Sequence, residues 1–501
     1  MIRNSEAAWA RHNYEQAIEI LEQAGRLAPN EPHIWLYLGR CHGMRYDYVA
    51  AERYFEKAVR VEGWKTESFL KAGRYCLSFR GYEMAARLFE RALKRDEKAN
   101  EILVELARIY LRQGRLHDAT GLLDRASQLN HDFTPMLLVR ARLHRLAGQL
   151  EEAEKILRSF VTRPEANGWV RAEGWYELGS TLDRQGRYDE AMKAFLEAKS
   201  VKLPVTAPPG INSRTAEAGM KQMVDFLSTG AMQHWREPDG ASPQRRLALL
   251  CGHPRSGTTL LEQVLDSHPE IVSAEETQIF YEEAFVPFTR GLSPESISLM
   301  PILESVSPER LRRAREDYFG CIERFIGQAV GARLLIDKNP SLTSLLPAFI
   351  RVFPEARFLI AIRDPRDVCL SCFMQPLFPT TPSSSTYSSL EAAAAEYTSI
   401  MGLWQALKPH MPCPFLEVRY EEVTNNLEPV ARRTLEFLGV PWDKRVLTFQ
   451  QHTRKLVRSP TYGDVKKPIS RGAIGRWRHY QKYFEPHLEK LEPFVKAFGY
   501  G

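Results

Sequence analysis

The sequence predicts a two-part chain: an N-terminal α-helical solenoid followed by a P-loop-like α/β domain with a parallel sheet. Three observations carry this. A pattern of small and apolar residues recurs every 34 positions through the first 200 residues. A Pro- and Gly-rich stretch, LPVTAPPGINS at 203–213, ends the helical period. Beyond it, short apolar runs alternate with helical stretches, and the first run leads into a glycine loop, CGHPRSGTTL, from Cys251 to Leu260. The predicted boundaries are a repeat array over 1–200, a linker and connecting helix over 201–245, and the α/β domain over 246–501.

The repeats come first. Ala17, Leu21 and Ala24 return as Ala51, Phe55 and Ala58, then as Ala85, Phe89 and Ala92, then as Ala119, Leu123 and Ala126. A fifth set, Ala153, Leu157 and Phe160, keeps the step, and a sixth, Ala191, Phe195 and Ala198, follows a four-residue insertion. Spacings of four and three place each set on one helix face. A single helical hairpin cannot bury such a face alone, so about six units must stack. Trp35, Leu38 and Gly39 form a W-x2-L-G pattern that Trp175, Leu178 and Gly179 repeat. Register and pattern together resemble the tetratricopeptide repeat. The resemblance implies a groove for a peptide or protein ligand.

The junction and the second part follow. Met220, Met223, Phe226 and Leu227 predict an amphipathic connecting helix, and REPDGASPQRR (236–246) predicts a loop. LALLCG (247–252), RLLID (333–337) and RFLIAIR (357–363) predict buried strands. The glycine loop therefore sits between a strand and a helix start, where helix N–H groups can hold a phosphate. Gly252 and Gly257 have phosphate-loop spacing, but Thr258 stands where a nucleotide kinase has lysine. Without that lysine or a clear metal-binding carboxylate, a kinase is disfavoured. Held by backbone amides, a helix dipole and side-chain cations, the phosphate needs no metal.

Composition narrows the classes further. The 501 residues carry a net charge of +6, which suits an anionic ligand, and no basic block argues for nucleic acid. Seven scattered cysteines read as thiols of a reducing compartment; Cys369 and Cys372 form a CxxC with no second pair for zinc. No apolar run spans a membrane and the N-terminus lacks a signal-peptide core, so a cytoplasmic setting is expected. A homodimer is compatible with the sequence.

Four segments together resemble the sulfotransferases, most closely the tyrosylprotein sulfotransferases. PRSGTTLLEQVLDSHPEIVSAEET is similar to that family's donor loop, helix and GEET segment, with Ala274 in place of the glycine. RDPRDVCLS (363–371) is similar to the site for the donor's 3′-phosphate, IDKNP to the segment with a catalytic lysine, and KKPISRGAIGRW (466–477) to the C-terminal donor-binding region. Bacterial proteins joining tetratricopeptide repeats to such a domain form the group this chain resembles. The resemblance implies 3′-phosphoadenosine 5′-phosphosulfate as donor and a hydroxyl acceptor, with peptide tyrosine first and a carbohydrate or small molecule as the alternative. It implies Glu276 as general base, with Glu275 its rival, and Lys338 and Arg255 as charge stabilisers. Donor contacts are expected from Arg255, Ser256, Gly257, Thr258, Thr259 and Leu260 of the loop, from Arg363 and Ser371, and from Tyr420, Thr461, Lys467 and Arg476. A non-catalytic repeat scaffold is the third class; the retention of Arg255, Glu276, Lys338, Arg363 and Ser371 argues against it.

Overall fold

The computed structural model describes residues 1–166, 168–201, 226, 230–236, 245–290, 299–376, 386–452 and 469–501. The chain divides into two compact units, Met1–Asn167 and Gly168–Gly501.

The first unit is wholly helical. Helices α1 (Ile2–Ala10) and α2 (Tyr14–Leu27), α3 (Pro32–Met44) and α4 (Tyr48–Val61), α5 (Thr66–Ser78) and α6 (Tyr82–Leu93), α7 (Asn100–Gln113) and α8 (Leu116–Leu129), and α9 (Thr134–Leu146) and α10 (Leu150–Val161) pair as five hairpins. Turns are set locally: Asp47 accepts from the Ala50 N–H to cap α4, and Gly114 ends α7 at φ +77°. The second helix of every hairpin buries its repeated set, and one hydrophobic core runs from Leu21 to Leu143.

Within a hairpin, a small residue on the first helix matches a large one sixteen positions later. A Cβ on Gly39 would lie 2.7 Å from the Phe55 ring, and one on Gly73 would lie 2.1 Å from Phe89. At the same register Ala107 and Ala141 go with the smaller Leu123 and Leu157, and all four are fully buried. Gly pairs with Phe and Ala with Leu, so the summed volume stays nearly constant.

The second unit opens with a sixth hairpin, α11 (Gly168–Arg184) and α12 (Tyr188–Ser200). It repeats the code: Gly179 faces Phe195, with 2.7 Å for an added Cβ. The sheet follows. Its strands are β1 (Leu247–Gly252), β2 (Ile271–Glu275), β3 (Leu334–Lys338), β4 (Arg357–Ile362) and β5 (Phe415–Arg419), all parallel, in the order β2-β3-β1-β4-β5. Helix α13 (Thr258–Asp266) follows β1, α14 (Pro308–Ile326) precedes β3, α15 (Pro365–Phe373) follows β4, and α16 (Leu390–Leu407) and α17 (Leu427–Leu438) flank β5. Helices cover both sheet faces. On one, Ala248, Leu250, Ile336 and Leu359 meet Leu261, Val264 and Leu435; on the other, Phe358 joins Phe349, Phe353 and Tyr318. Burial on both sides is why the central strands read as unbroken apolar runs.

Two strands lie outside the sequence expectation. β5 is an edge strand with Glu417 and Arg419 in it; Glu417 accepts from Trp404 Nε1 and Lys408 Nζ, each at 2.8 Å. β2, IVSAE, is the opposite edge and ends in a carboxylate. The predicted strand RLLID (333–337) sits one residue later than expected, at 334–338. Of the predicted connecting helix only Phe226 is described, and the 236–246 loop is described only at its two ends. All seven cysteines are buried, and none forms a disulfide. Among the described residues no helix is long and apolar enough to cross a membrane.

Candidate active site

Chemistry-bearing residues gather at the carboxyl ends of the five parallel strands. β1 is central, with β2 and β3 on one side and β4 and β5 on the other, so the loop after β1 marks the switch point where such sheets bind ligands.

That loop is shaped by backbone contacts. Gly252 takes φ +128°, and an added Cβ would lie 2.4 Å from the Ala361 carbonyl. Thr343 Oγ1 accepts from the Gly252 N–H at 2.9 Å and donates to its carbonyl at 2.7 Å. Gly257 (φ +92°) starts α13, and a Cβ there would lie 2.5 Å from the Tyr420 ring. Arg255 adopts φ +72° without being glycine, a strained conformation that tends to collect at functional sites. Ser256, Thr258 and Thr259 are buried; Gly257 and Leu260 are half-buried. The first N–H groups of α13 lack partners within the helix, the usual setting for an anion. His253 is fully buried, its Nδ1 donating to the Pro254 carbonyl at 2.7 Å and its ring 5.0 Å from Tyr397. Burial pushes its pKa down to about 4, so the ring packs as a neutral group.

At the β2–β3 end lies a buried lysine among carboxylates. Lys338 has no exposed surface, and its Nζ stands 2.8 Å from Glu276 Oε1, 3.4 Å from Glu275 Oε1 and 3.5 Å from Glu262 Oε2. Burial alone would lower its pKa, but the three carboxylates outweigh that and raise it. Glu262, on α13, also accepts from Ser273 Oγ at 2.9 Å; burial pushes its pKa up to about 8 despite the lysine. Of the three, Glu276 alone opens to solvent, with 26% of its side chain exposed against 8% for Glu275 and 1% for Glu262. Glu276 sits at φ +48°, held there as its N–H donates to the Lys338 carbonyl at 2.8 Å. The strand alternation sends Asp337 to the other face, where Tyr318 OH donates to it at 2.9 Å; burial raises its pKa to about 7.

At the β4–β5 end Arg363 and Arg255 bring positive charge beside the buried carboxylates Asp364 and Asp367. Arg363, 7% exposed, donates from Nη1 to the Arg255 carbonyl at 3.0 Å and from Nη2 to the Ala473 carbonyl at 2.5 Å. Its Nε is buried with no hydrogen-bond partner among the described residues, and its guanidinium lies 4.7 Å from the Tyr420 ring centroid. Arg255 Nε donates to Ser371 Oγ on α15 at 3.1 Å.

Comparison with known proteins finds relatives of both parts of the chain. The sulfotransferase family model matches residues 248–444, and tetratricopeptide models match 3–64, 82–143 and 172–201. The chain carries a sulfotransferase-family domain behind tetratricopeptide repeats. An uncharacterised protein of Aquifex aeolicus is 25% identical over 68% of this chain, which spans 44% of that protein's length. Protein-tyrosine sulfotransferase A of Caenorhabditis elegans is 25% identical over 53% of this chain and 70% of its own. Among solved structures, the sulfotransferase domain of the Synechococcus PCC 7002 olefin synthase covers 53% of this chain and 98% of its own, at 22% identity and a TM-score of 0.39.

Within the sulfotransferase domain, the structure brings Glu276 together with Lys338, and Arg255 with Ser371, Arg363 and Tyr420. Arg476 stands apart from these: its guanidinium pairs with Asp183 of α11 at 2.6 Å. Thr461 and Lys467 lie outside the described residues. Among the described residues no group of three or more metal-ligating side chains forms. Sequence reasoning missed Glu262 and Asp367. Glu262 had a signal, a charge beside Leu260, Leu261, Val264 and Leu265 in the helix TTLLEQVLD. Asp367 accepts from the Gly475 N–H at 2.6 Å and the Trp477 N–H at 2.9 Å, partners more than a hundred positions away that no local pattern announces.

Proposed function

We propose that the chain transfers a sulfonate from 3′-phosphoadenosine 5′-phosphosulfate to a hydroxyl, with peptide tyrosine as the first acceptor class. The observation that carries this is the pair Glu276–Lys338 at 2.8 Å, at the same carboxyl end of the sheet as an anion loop without a kinase lysine. The tyrosine acceptor is supported by the protein-tyrosine sulfotransferases among the relatives and by the AEET segment around Glu276.

The residues present suit such a donor. Amides at the start of α13 and the hydroxyls of Ser256, Thr258 and Thr259 would take its 5′-phosphate. The unpartnered Nε of Arg363 and the hydroxyl of Ser371 would take the 3′-phosphate. Bound there, the donor supplies an activated, singly charged sulfonate, which asks for less neutralisation than a phosphoryl group and so for side-chain cations in place of magnesium. Glu276 accepts the acceptor hydroxyl's proton. A tyrosine hydroxyl, with a pKa near ~10, gains about 10² to 10⁴ in rate from a positioned base. Lys338 and Arg255 stabilise the charge that develops on the transferred group and the leaving phosphate. A peptide ligand for the repeat groove, a cytoplasmic setting and a homodimer belong to the same reading.

The test is incubation of the protein with radiolabelled donor and a panel of acidic tyrosine peptides, glycans and phenols. Label is expected on the tyrosine peptides. Label on glycans or phenols alone moves the acceptor class, and label on none overturns catalysis.

A further inference from the structure

Helices α11 and α12 repeat the register of the first unit's hairpins, yet they belong to the unit that holds the sheet. The contacts explain why. Asp183, near the end of α11, pairs with Arg476 Nη2 at 2.6 Å and accepts from Tyr480 OH at 2.7 Å; Tyr480 is fully buried. Past the turn, Asp189 accepts from Lys482 Nζ at 2.8 Å, and Tyr188 stacks on His479 with ring centroids 4.2 Å apart. Farther along α12, Phe195 meets Phe373 edge-on at 6.5 Å, and Lys199 Nζ lies 5.2 Å from the same ring. Phe373 ends α15, the helix that carries Ser371.

The segment Ala473–Tyr480 is therefore gripped from two sides. From the sheet side, Asp367 holds the Gly475 and Trp477 N–H groups and Arg363 donates to the Ala473 carbonyl. From the hairpin side, Asp183 holds Arg476 and Tyr480. The Ala473 carbonyl is one of two that orient the Arg363 guanidinium. A shift of the segment would turn that fork, and the direction of its unpartnered Nε with it.

We propose that Asp183 is a positioning residue for the donor site: through Arg476 and Tyr480 it fixes the segment that aims Arg363. The sixth hairpin is thus a working part of the sulfotransferase domain, separate from whatever the hairpins of the first unit bind. This rests on the reading of Arg363 as the 3′-phosphate group. The opposite role, Asp183 withholding Arg476 from the donor, gives the opposite sign.

The experiment uses the full chain and calorimetric binding of two nucleotides, 3′-phosphoadenosine 5′-phosphate and 5′-AMP, alongside donor and acceptor kinetics. Asp183→Asn is expected to weaken the bisphosphate about tenfold, the scale of one charge-assisted contact, and to leave 5′-AMP unchanged. Donor KM should rise by the same factor while kcat and acceptor KM hold. Arg476→Gln should match it, and the double variant should be no worse than the worse single variant. Asp183→Glu, which keeps the charge, should restore part of the loss and stands in if Asp183→Asn does not fold. Unchanged or tighter bisphosphate binding overturns the proposal, as does equal weakening of both nucleotides, the mark of general loosening. If the unmodified chain does not distinguish the two nucleotides, the reading of Arg363 fails and this inference with it; if it does and Asp183→Asn distinguishes them equally well, only this inference fails.

Discussion

The two ends of the sheet hold their charges in opposite ways. At the β2–β3 end, Lys338 is enclosed by three carboxylates within 3.5 Å and has no exposed surface. At the β4–β5 end, Arg363 spends its two Nη groups on backbone carbonyls and keeps a buried Nε without a partner. A buried donor left unsatisfied is costly, which suits this one to an incoming anion. In the proposed reading the first end suits a proton acceptor, because its charge is balanced toward the negative and one carboxylate faces outward, and the second suits a dianion.

The largest effect should come from the acidic end. Glu276→Gln keeps size but cannot accept a proton, and the chemical rate should fall by roughly 10² or more with donor affinity near normal. Glu275→Gln should do far less. With phenols of falling pKa the Glu276→Gln penalty should shrink in single-turnover assays. Full activity in Glu276→Gln would break the division of labour between the two ends.

The basic end should respond in binding. Arg363→Ala should erase most of the preference for the 3′,5′-bisphosphate over 5′-AMP, a loss of about 1.5–3 kcal/mol, measured by calorimetry. Equal binding of the two nucleotides by the unmodified chain would remove the dianion from that end. Smaller still, a chelator should leave turnover nearly unchanged, and strict magnesium dependence would return a metal to the comparison.

The smallest effect concerns stability beneath the acidic end. Burial raises Asp337 to about 7, above its unfolded value near ~3.9. The unfolded chain therefore releases this proton first as pH rises. The stability this group contributes is full below about pH 4 and lost as pH passes through 7. Asp337→Asn leaves an acceptor for Tyr318 and removes the dependence. The gap between thermal melts at pH 5 and pH 8 should narrow in the variant, by roughly 2–4 °C for each kcal/mol recovered.

The repeat register and the central strands were legible because each is a one-dimensional pattern: Ala17 to Ala198 recur at helical spacing, and LALLCG and RFLIAI are buried on both faces. The edge strand FLEVR was not, because Glu417 and Arg419 find partners sideways, in Trp404 and Lys408 and at the C-terminus, and so break the apolar run. In the site, Glu276 and Lys338 were legible as motif residues. Glu262 and Asp183 act only through groups that the fold delivers from 76 and 293 positions away, Lys338 and Arg476. Distance along the chain, not chemistry, hid them.

The Gly–Phe and Ala–Leu matches inside the hairpins work like a lock cut in two interchangeable patterns. Separate contacts, such as Phe55 on Phe79 and Gly43 against Phe79, fit one hairpin to the next, while each key is complete within one hairpin. The same feature forbids half-exchanges: Gly73→Ala alone drives a methyl group into Phe89 and should cost about 1–3 kcal/mol, whereas adding Phe89→Leu should return most of it. In a lineage of such chains, substitutions at these two positions should travel together.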